Sequence, residues 1–272
     1  MGYFPPFTLL FFTATVGSAQ ETATESADFE EEGSPTSKAH PLAAERNPMK
    51  RPLKVPKRLH RNHPNVLAAG YEHTGSILIG LAMQRVGLSS LEEIDVLDVG
   101  CGVRFTMTII NRDIPIKSYT GLEVHKPIVD FLNKKVARYE KRFRFVHWNV
   151  RNEMYNPKGL ELSNWERLPV AENFDLIWLF SVFTHMNPTD TRAMLKILRK
   201  HSGEEGRIFF SAFIDDDLEG FEDRVKDRPL EKAYYGRNYM ELIIKETGWR
   251  IEGAFDEDKS NYIQHHFICS PG

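Results

Sequence analysis

The stretch VLDVGCGVRF, residues 96–105, decides how this chain is read. Three apolar residues flank an aspartate, and two glycines follow with one residue between them. An apolar strand ending at Val99 and opening through a glycine turn into a helix belongs to an open α/β sheet. In such sheets ligands sit at the carboxyl ends of the strands. Gly100 and Gly102 carry no Cβ, so the backbone of this turn can approach a ligand closely. A Gly-x-Gly pair alone is a weak signal, and its weight depends on what surrounds it.

Outward from the turn, the chain alternates between two hydrophobic periods. SILIGLAMQRVG (76–87) sets Ile77, Leu78, Leu81 and Ala82 at helical spacing and stops at Gly87. IDVLDVG (94–100) and KSYTGLEV (117–124) read as strands, with FTMTIINRD (105–113) as a helix between them. Pro127 suits the first turn of a helix whose Ile128, Leu132 and Val136 share one face. RFRFVHWNV (142–150) is a third strand. FDLIWLFSVF (174–183) is a nearly unbroken apolar run, as expected of a strand buried on both faces of a parallel sheet. Asn187, Pro188 and Asp190 then open a helix as cap, first position and N-terminal charge. RIFFSAFI (207–214) is a fifth strand, and LEKAYYGRNYMELIIKETG (230–248) is expected to be a helix. WRIEGAF (249–255) and NYIQHHFIC (261–269) are strands too closely connected for a helical crossover, so they should pair antiparallel. The expected fold is α/β: a doubly wound, mostly parallel seven-stranded sheet with a C-terminal antiparallel hairpin.

Composition bounds the rest. With 272 residues, 41 % of them hydrophobic, there is material for one full α/β domain with a tail. A net charge of -3 sets up no global field toward nucleic acid or an anionic membrane. The two cysteines, Cys101 and Cys269, form neither a disulfide framework nor a metal-ligand spacing. Residues 1–64 are expected to be a disordered extension or targeting segment with a basic linker, and residues 65–272 the domain. FTLLFFTATVGSAQ (7–20) has the apolar run and small residues of a signal cleaved near Ala19 but lacks basic residues ahead of it. It is too short for a membrane span. Residues 20–45 are too polar to fold, and KRPLKVPKRLHRNHP (50–64) reads as a solvated basic linker. A cytoplasmic location is expected, or an exported or organelle-targeted one if residues 1–19 are removed.

The next question is which cofactor the turn holds. Glu123 ends the second strand about 25 residues after Asp98, where a carboxylate accepts hydrogen bonds from ribose hydroxyls. A dinucleotide fingerprint would place a third glycine at position 105, where this chain has Phe105. Asp98, just ahead of the first glycine, would repel a pyrophosphate but suits a cationic ligand. VLDVGCG, GLEV, FDLIWLFSVFTHM, RIFFSAF and the terminal hairpin together resemble the class I S-adenosylmethionine-dependent methyltransferases, over about residues 70–270. The resemblance implies that Asp98, Gly100, Cys101 and Gly102 hold the methionine part of S-adenosylmethionine. It implies that Glu123, with Val124, binds ribose, that Asn149 and Val150 stand near adenine, and that Ser181 and Val182 border the cofactor. Arg104 departs from the family where many members have a third glycine, and Asn149 stands where an aspartate is commoner.

Methyl transfer needs an in-line nucleophile stripped of water, and a hydroxyl nucleophile is helped by a base. His185 in SVFTHM follows the fourth strand at the active edge, so it is the candidate general base; its alternative is a helix-capping or packing role. In IDDD (214–217), Asp215 is the candidate acid, against a plain solvated loop. No metal is expected: the acidic cluster lacks a second set of oxygen ligands, and His265 and His266, adjacent on a strand, point to opposite faces. Tyr71 and Tyr155 are candidate substrate contacts, Tyr155 because it lies in a turn-rich loop. The expected acceptor is a small molecule or glycan-type hydroxyl, with no nucleic acid, since there is no long basic groove and FSVF replaces the edge common in amino-methylating nucleic-acid enzymes. An NAD(P)-dependent oxidoreductase and a non-catalytic S-adenosylmethionine-binding module are the competing readings.

Overall fold

The alternation of apolar strands and amphipathic helices produces the expected layered sheet. A computed structural model describes residues 52–61, 64–256 and 264–272. The readings made on residues 1–51, the targeting signal and the acidic stretch, lie outside the described residues.

Two helices, α1 (Pro64–Ala69) and α2 (Tyr71–Val86), precede the first strand. Helix α2 stops where the sequence places its stop. Gly87 adopts φ 81°, and its N–H reaches the carbonyls of Met83 and Gln84. Then follow β1 (Leu91–Val99), α3 (Arg104–Asn111), β2 (Ile116–Glu123), α4 (Lys126–Leu132), continued by a π-helical turn over Asn133–Ala137, and β3 (Phe143–His147). Next come β4 (Phe174–Leu179), α5 (Pro188–Arg199) and β5 (Ser202–Asp215). Asn187 caps α5, its side chain accepting from the Asp190 N–H at 2.9 Å. The last elements are β6 (Phe221–Asp223), β7 (Ala233–Gly236), α6 (Arg237–Glu246), β8 (Trp249–Phe255) and β9 (His265–Pro271).

The main sheet runs β3-β2-β1-β4-β5, all parallel, and continues through β9, antiparallel to β5, to β8 at the edge. The chain winds outward from β1 to β3 and returns to β4 beside β1, so strand order reverses between β1 and β4. The cleft at their carboxyl ends is the place for a ligand. Strand β4 shows why the sheet is dry on both sides: Leu176 and Trp178 enter one core, Ile177 and Leu179 the other, all fully buried.

Two expectations change. The seven strands of the main sheet are joined by two short ones, β7 parallel to the end of β5 and β6 antiparallel to β7. AYYG, expected within a helix, is strand β7 because Ala233 and Tyr235 bury at a period of two while Tyr234 stacks on Phe213 at 4.9 Å. The helix begins only at Arg237. The second change concerns the basic linker. Its described part, 52–61, packs on the domain instead of standing in solvent. Leu53 (4 % exposed) and Leu59 (3 %) are buried against α2 and α3, the prolines and lysines facing out between them. The domain therefore starts before residue 65. No helix among the described residues is long and apolar enough to cross a membrane.

Candidate functional site

The glycine turn has the backbone that its sequence requires. Gly100 (φ 71°) and Gly102 (φ 51°) both lie in the left-handed region that favours glycine. A Cβ on Gly100 would meet Val182 Cγ2 at 3.0 Å, whereas one on Gly102 would enter open space. The turn is pinned to the neighbouring strand: the N–H groups of Gly100 and Cys101 donate to the Leu122 carbonyl at 2.8 and 3.0 Å. The Gly102 N–H donates to Glu123 Oε2 at 3.0 Å. Cys101 packs its sulfur toward Gly121, where an added Cβ would come within 2.8 Å of it. Burial pushes its thiol well above the ordinary range, so it fills space and is no nucleophile.

Asp98 is fully buried and accepts a short hydrogen bond from the Tyr119 hydroxyl. Desolvation raises its pKa to about 7, opposed by the hydrogen bond from Tyr119 and assisted by the charge of Glu123. With Gly100, Cys101, Gly102 and Arg104 it borders a recess of about 60 Å³. The recess shares Gly100 and Phe180 with a larger cavity of about 320 Å³. The larger cavity lies at the carboxyl ends of β1, β2 and β4, and it gathers Gly100, Glu123, Val124, Val150, Tyr155, Ser181, Val182 and His185 from the sequence-derived set.

Ser181 follows β4 with φ 57°, a strained conformation for a residue with a Cβ. Its N–H donates to Ser211 Oγ at 2.8 Å, and its Oγ and the Gln264 amide bond each other. His185 sits in a short 3-10 turn, Phe183–His185. Its Nδ1 lies 3.1 Å from the Leu230 carbonyl oxygen. A carbonyl only accepts, so Nδ1 carries the proton and Nε2 keeps a free lone pair. Burial lowers the pKa of His185, against the carbonyl bond and the charge of Glu231, which favours the neutral ring.

Three sequence candidates are placed elsewhere. Asp215 forms an ion pair with Arg224, which Glu222 also holds, and lies outside the cavity. The rest of the acidic run is likewise tied: Asp216 pairs with Arg237, and the Asp217 N–H donates to Asp215. The acid role therefore passes from Asp215 to a structural one, a brace for β6. Tyr71 is buried at the start of α2 with its ring 4.7 Å from that of His60, so it is core and not a substrate contact. Asn149 faces the loop beyond β3, its side chain accepting from Asn156 Nδ2 at 3.0 Å. Among the described residues no three His, Cys, Asp or Glu side chains come together as a metal site.

Other residues in the cavity had no signal in the sequence. Arg61 reaches it from the basic segment and pairs with Glu123 at 2.8 Å. Trp148 forms part of the wall, and its indole N–H is buried with no partner among the described residues. Pro229 and Leu230 also line the cavity. Leu230, at φ 60°, is held by its N–H to Asp223 Oδ2 at 2.7 Å.

The donor set suits S-adenosylmethionine. Gly100 of the turn, a buried carboxylate at the end of β2 and the Trp148 indole N–H line one cavity, while Phe105 packs on Trp178 and Phe180 where a dinucleotide site would need glycine. Comparison with known proteins agrees. Residues 97–208 match the family model of a methyltransferase domain. The chain resembles the glycopeptide N-methyltransferase MtfA complexed with sinefungin, at 11 % identity and a TM-score of 0.54, over 73 % of this chain and 94 % of that one. It resembles a S-adenosylmethionine-dependent methyltransferase from Clostridium acetobutylicum ATCC 824, at 15 % identity and a TM-score of 0.50, over 76 % and 94 %. It also resembles magnesium protoporphyrin IX methyltransferase from Synechocystis PCC 6803, at 13 % identity and a TM-score of 0.50, over 79 % and 88 %. At these identities the likeness to the solved structures is one of fold.

Proposed function

We infer that this chain, a class I S-adenosylmethionine-dependent methyltransferase, methylates a hydroxyl group of a small-molecule or glycan-type acceptor. The observation that carries the acceptor reading is His185. It is oriented by a main-chain oxygen and shares one cavity with Glu123 and the glycine turn.

When bound, S-adenosylmethionine supplies a methyl group on a sulfonium, whose departure leaves a neutral thioether. In this reading the turn at Gly100 and Gly102 holds the methionine part, Glu123 the ribose, and Trp148 and Val150 the adenine side. His185 holds the Leu230 carbonyl through Nδ1–H and accepts the acceptor's hydroxyl proton at Nε2. Met186, Met194 and Leu230 give that side apolar walls that exclude water, while Asn152 and Asp190 offer hydrogen-bonding groups at the rim. Apolar walls with a few polar groups suit a polyhydroxylated ligand, which has both kinds of surface. The reading goes with the cytoplasm, where the cofactor is available.

One observation favours a second reading, an amine acceptor: Asp190 gives the cavity a carboxylate that attracts a cation. An acceptor screen with isotopically labelled S-adenosylmethionine separates the two. The hydroxyl reading expects label in an ether that survives mild acid and base. Turnover with amines alone would sink it.

A further inference from the structure

The basic segment ahead of the domain delivers a cation to the cofactor's seat. Residues 52–61 form a strap fastened at both ends. At one end the Leu53 N–H donates to Asn111 Oδ1 at 2.7 Å, and Asn111 Nδ2 returns a bond to the Leu53 carbonyl at 3.2 Å. At the other, Leu59 is buried and His60 packs its ring on Tyr71. The strap then places Arg61 inside the cavity, its side chain 19 % exposed, with Nη2 at 2.8 Å from Glu123 Oε1. The guanidinium lies over the Tyr155 ring, 3.9 Å from its centroid. Its Nη1 is buried with no partner among the described residues.

Glu123 is thereby nearly saturated. Its Oε2 accepts from the Gly102 N–H at 3.0 Å. Its Oε1 accepts from the His125 N–H at 2.8 Å and from Arg61 at 2.8 Å. A carboxylate offers about four lone-pair sites, so roughly one is left. A ribose presents two neighbouring hydroxyls. The two backbone donors are fixed by the turn and by the start of α4. Only Arg61 can leave.

We propose that Arg61 is an internal competitor for the ribose seat: the strap holds it on Glu123 until the cofactor's ribose displaces it. The idea rests on the reading of Glu123 as the ribose acid. Arg61 then sets the affinity for every ligand bearing that ribose, the methylated cofactor and its demethylated product alike, and the strap moves when either binds. The exchange also explains the orphaned Nη1. The guanidinium makes one ion pair and one stacking contact in a pocket it does not fill, a seat that is easily vacated.

The test is calorimetric titration of the full chain with S-adenosylhomocysteine and, separately, with adenosine, a probe that keeps the ribose and adenine and lacks the amino-acid part. Arg61→Gln is expected to tighten both by roughly tenfold. Leu59→Ala, which loosens the strap away from the cavity, should act in the same direction by a smaller factor. Glu123→Gln should weaken both ligands, and adding Arg61→Gln to it should then change nothing. Weaker or unchanged binding in Arg61→Gln, with Glu123→Gln still weakening, overturns the competitor and leaves the ribose reading standing. Unchanged binding in Glu123→Gln overturns both. Thermal unfolding of each variant distinguishes a misfolded protein from a loosened strap, and if Arg61→Gln misfolds, Leu59→Ala decides by itself.

Discussion

His185 is oriented by a main-chain oxygen, and this explains what the sequence did and did not reveal about it. The residue type and its place after β4 were legible. Its partner was not, because the Leu230 carbonyl carries no side-chain signature and lies 45 residues away. Replacing His185 by Gln keeps a hydrogen bond to Leu230 and removes the base. The rate constant kcat should fall by about 10²–10⁴, with the S-adenosylhomocysteine affinity unchanged. Because burial lowers the His185 pKa, the acid limb of the kcat profile should lie below the ordinary histidine value near 6.5. A limb at or above that value would remove His185 from the proton path. Asp223→Ala tests the next shell. It frees the Leu230 N–H and lets the strained carbonyl turn away, so kcat should drop by a smaller factor than for His185→Gln while cofactor binding holds. The same reasoning accounts for Asp215, which sequence position put at the active edge. Arg224, just after β6, pairs with it across from the end of β5.

At the scale of elements, strands with an unambiguous period were readable and mixed segments were not. FDLIWL buries every position but Asp175, and so continuous an apolar run reads as a central strand. AYYG preceded a strong helical pattern, and its two-residue alternation was too short to outweigh that pattern. The segment 52–61 looked like linker because its charges outnumber its apolar residues, yet two leucines suffice to dock it once α2 and α3 provide a groove. Sequence periodicity carries no information about such a receiving surface. Strand β2 supplies another relation invisible in one dimension: Gly121 leaves the space that Cys101 occupies, with Phe145 on the same side. Gly121→Ala pushes on both. It should destabilise the fold by about 1–3 kcal/mol in denaturant unfolding and weaken S-adenosylhomocysteine by displacing the glycine turn. Unchanged stability would mean that the turn yields freely.

For the molecule as a whole, the most consequential charge is buried beneath the site. Asp98 has a folded-state pKa of about 7, raised from an ordinary 3.8. Between those values the folded chain holds a proton that the unfolded chain has lost. Stability therefore falls as pH rises across that window, by up to about 4 kcal/mol. Asp98→Asn should be the more stable protein at pH 8, and the difference should close toward pH 4, as read by chemical denaturation. A cationic ligand favours the ionised form, so S-adenosylmethionine affinity should rise with pH through 7 more steeply than that of uncharged adenosine. The sheet topology has a consequence of another kind. Strand β9 follows every other described strand in the chain yet lies between β5 and β8, with Phe210 paired to Phe267 and Ile251 to Cys269. During synthesis β1 to β5 can assemble as they emerge, but β5 exposes an unpaired border, and β8 has no neighbour, until residues 265–271 leave the ribosome. The nascent chain thus carries an open, strongly apolar edge until residues 265–271 have emerged, and a chain truncated ahead of them would leave that edge permanently available to other chains.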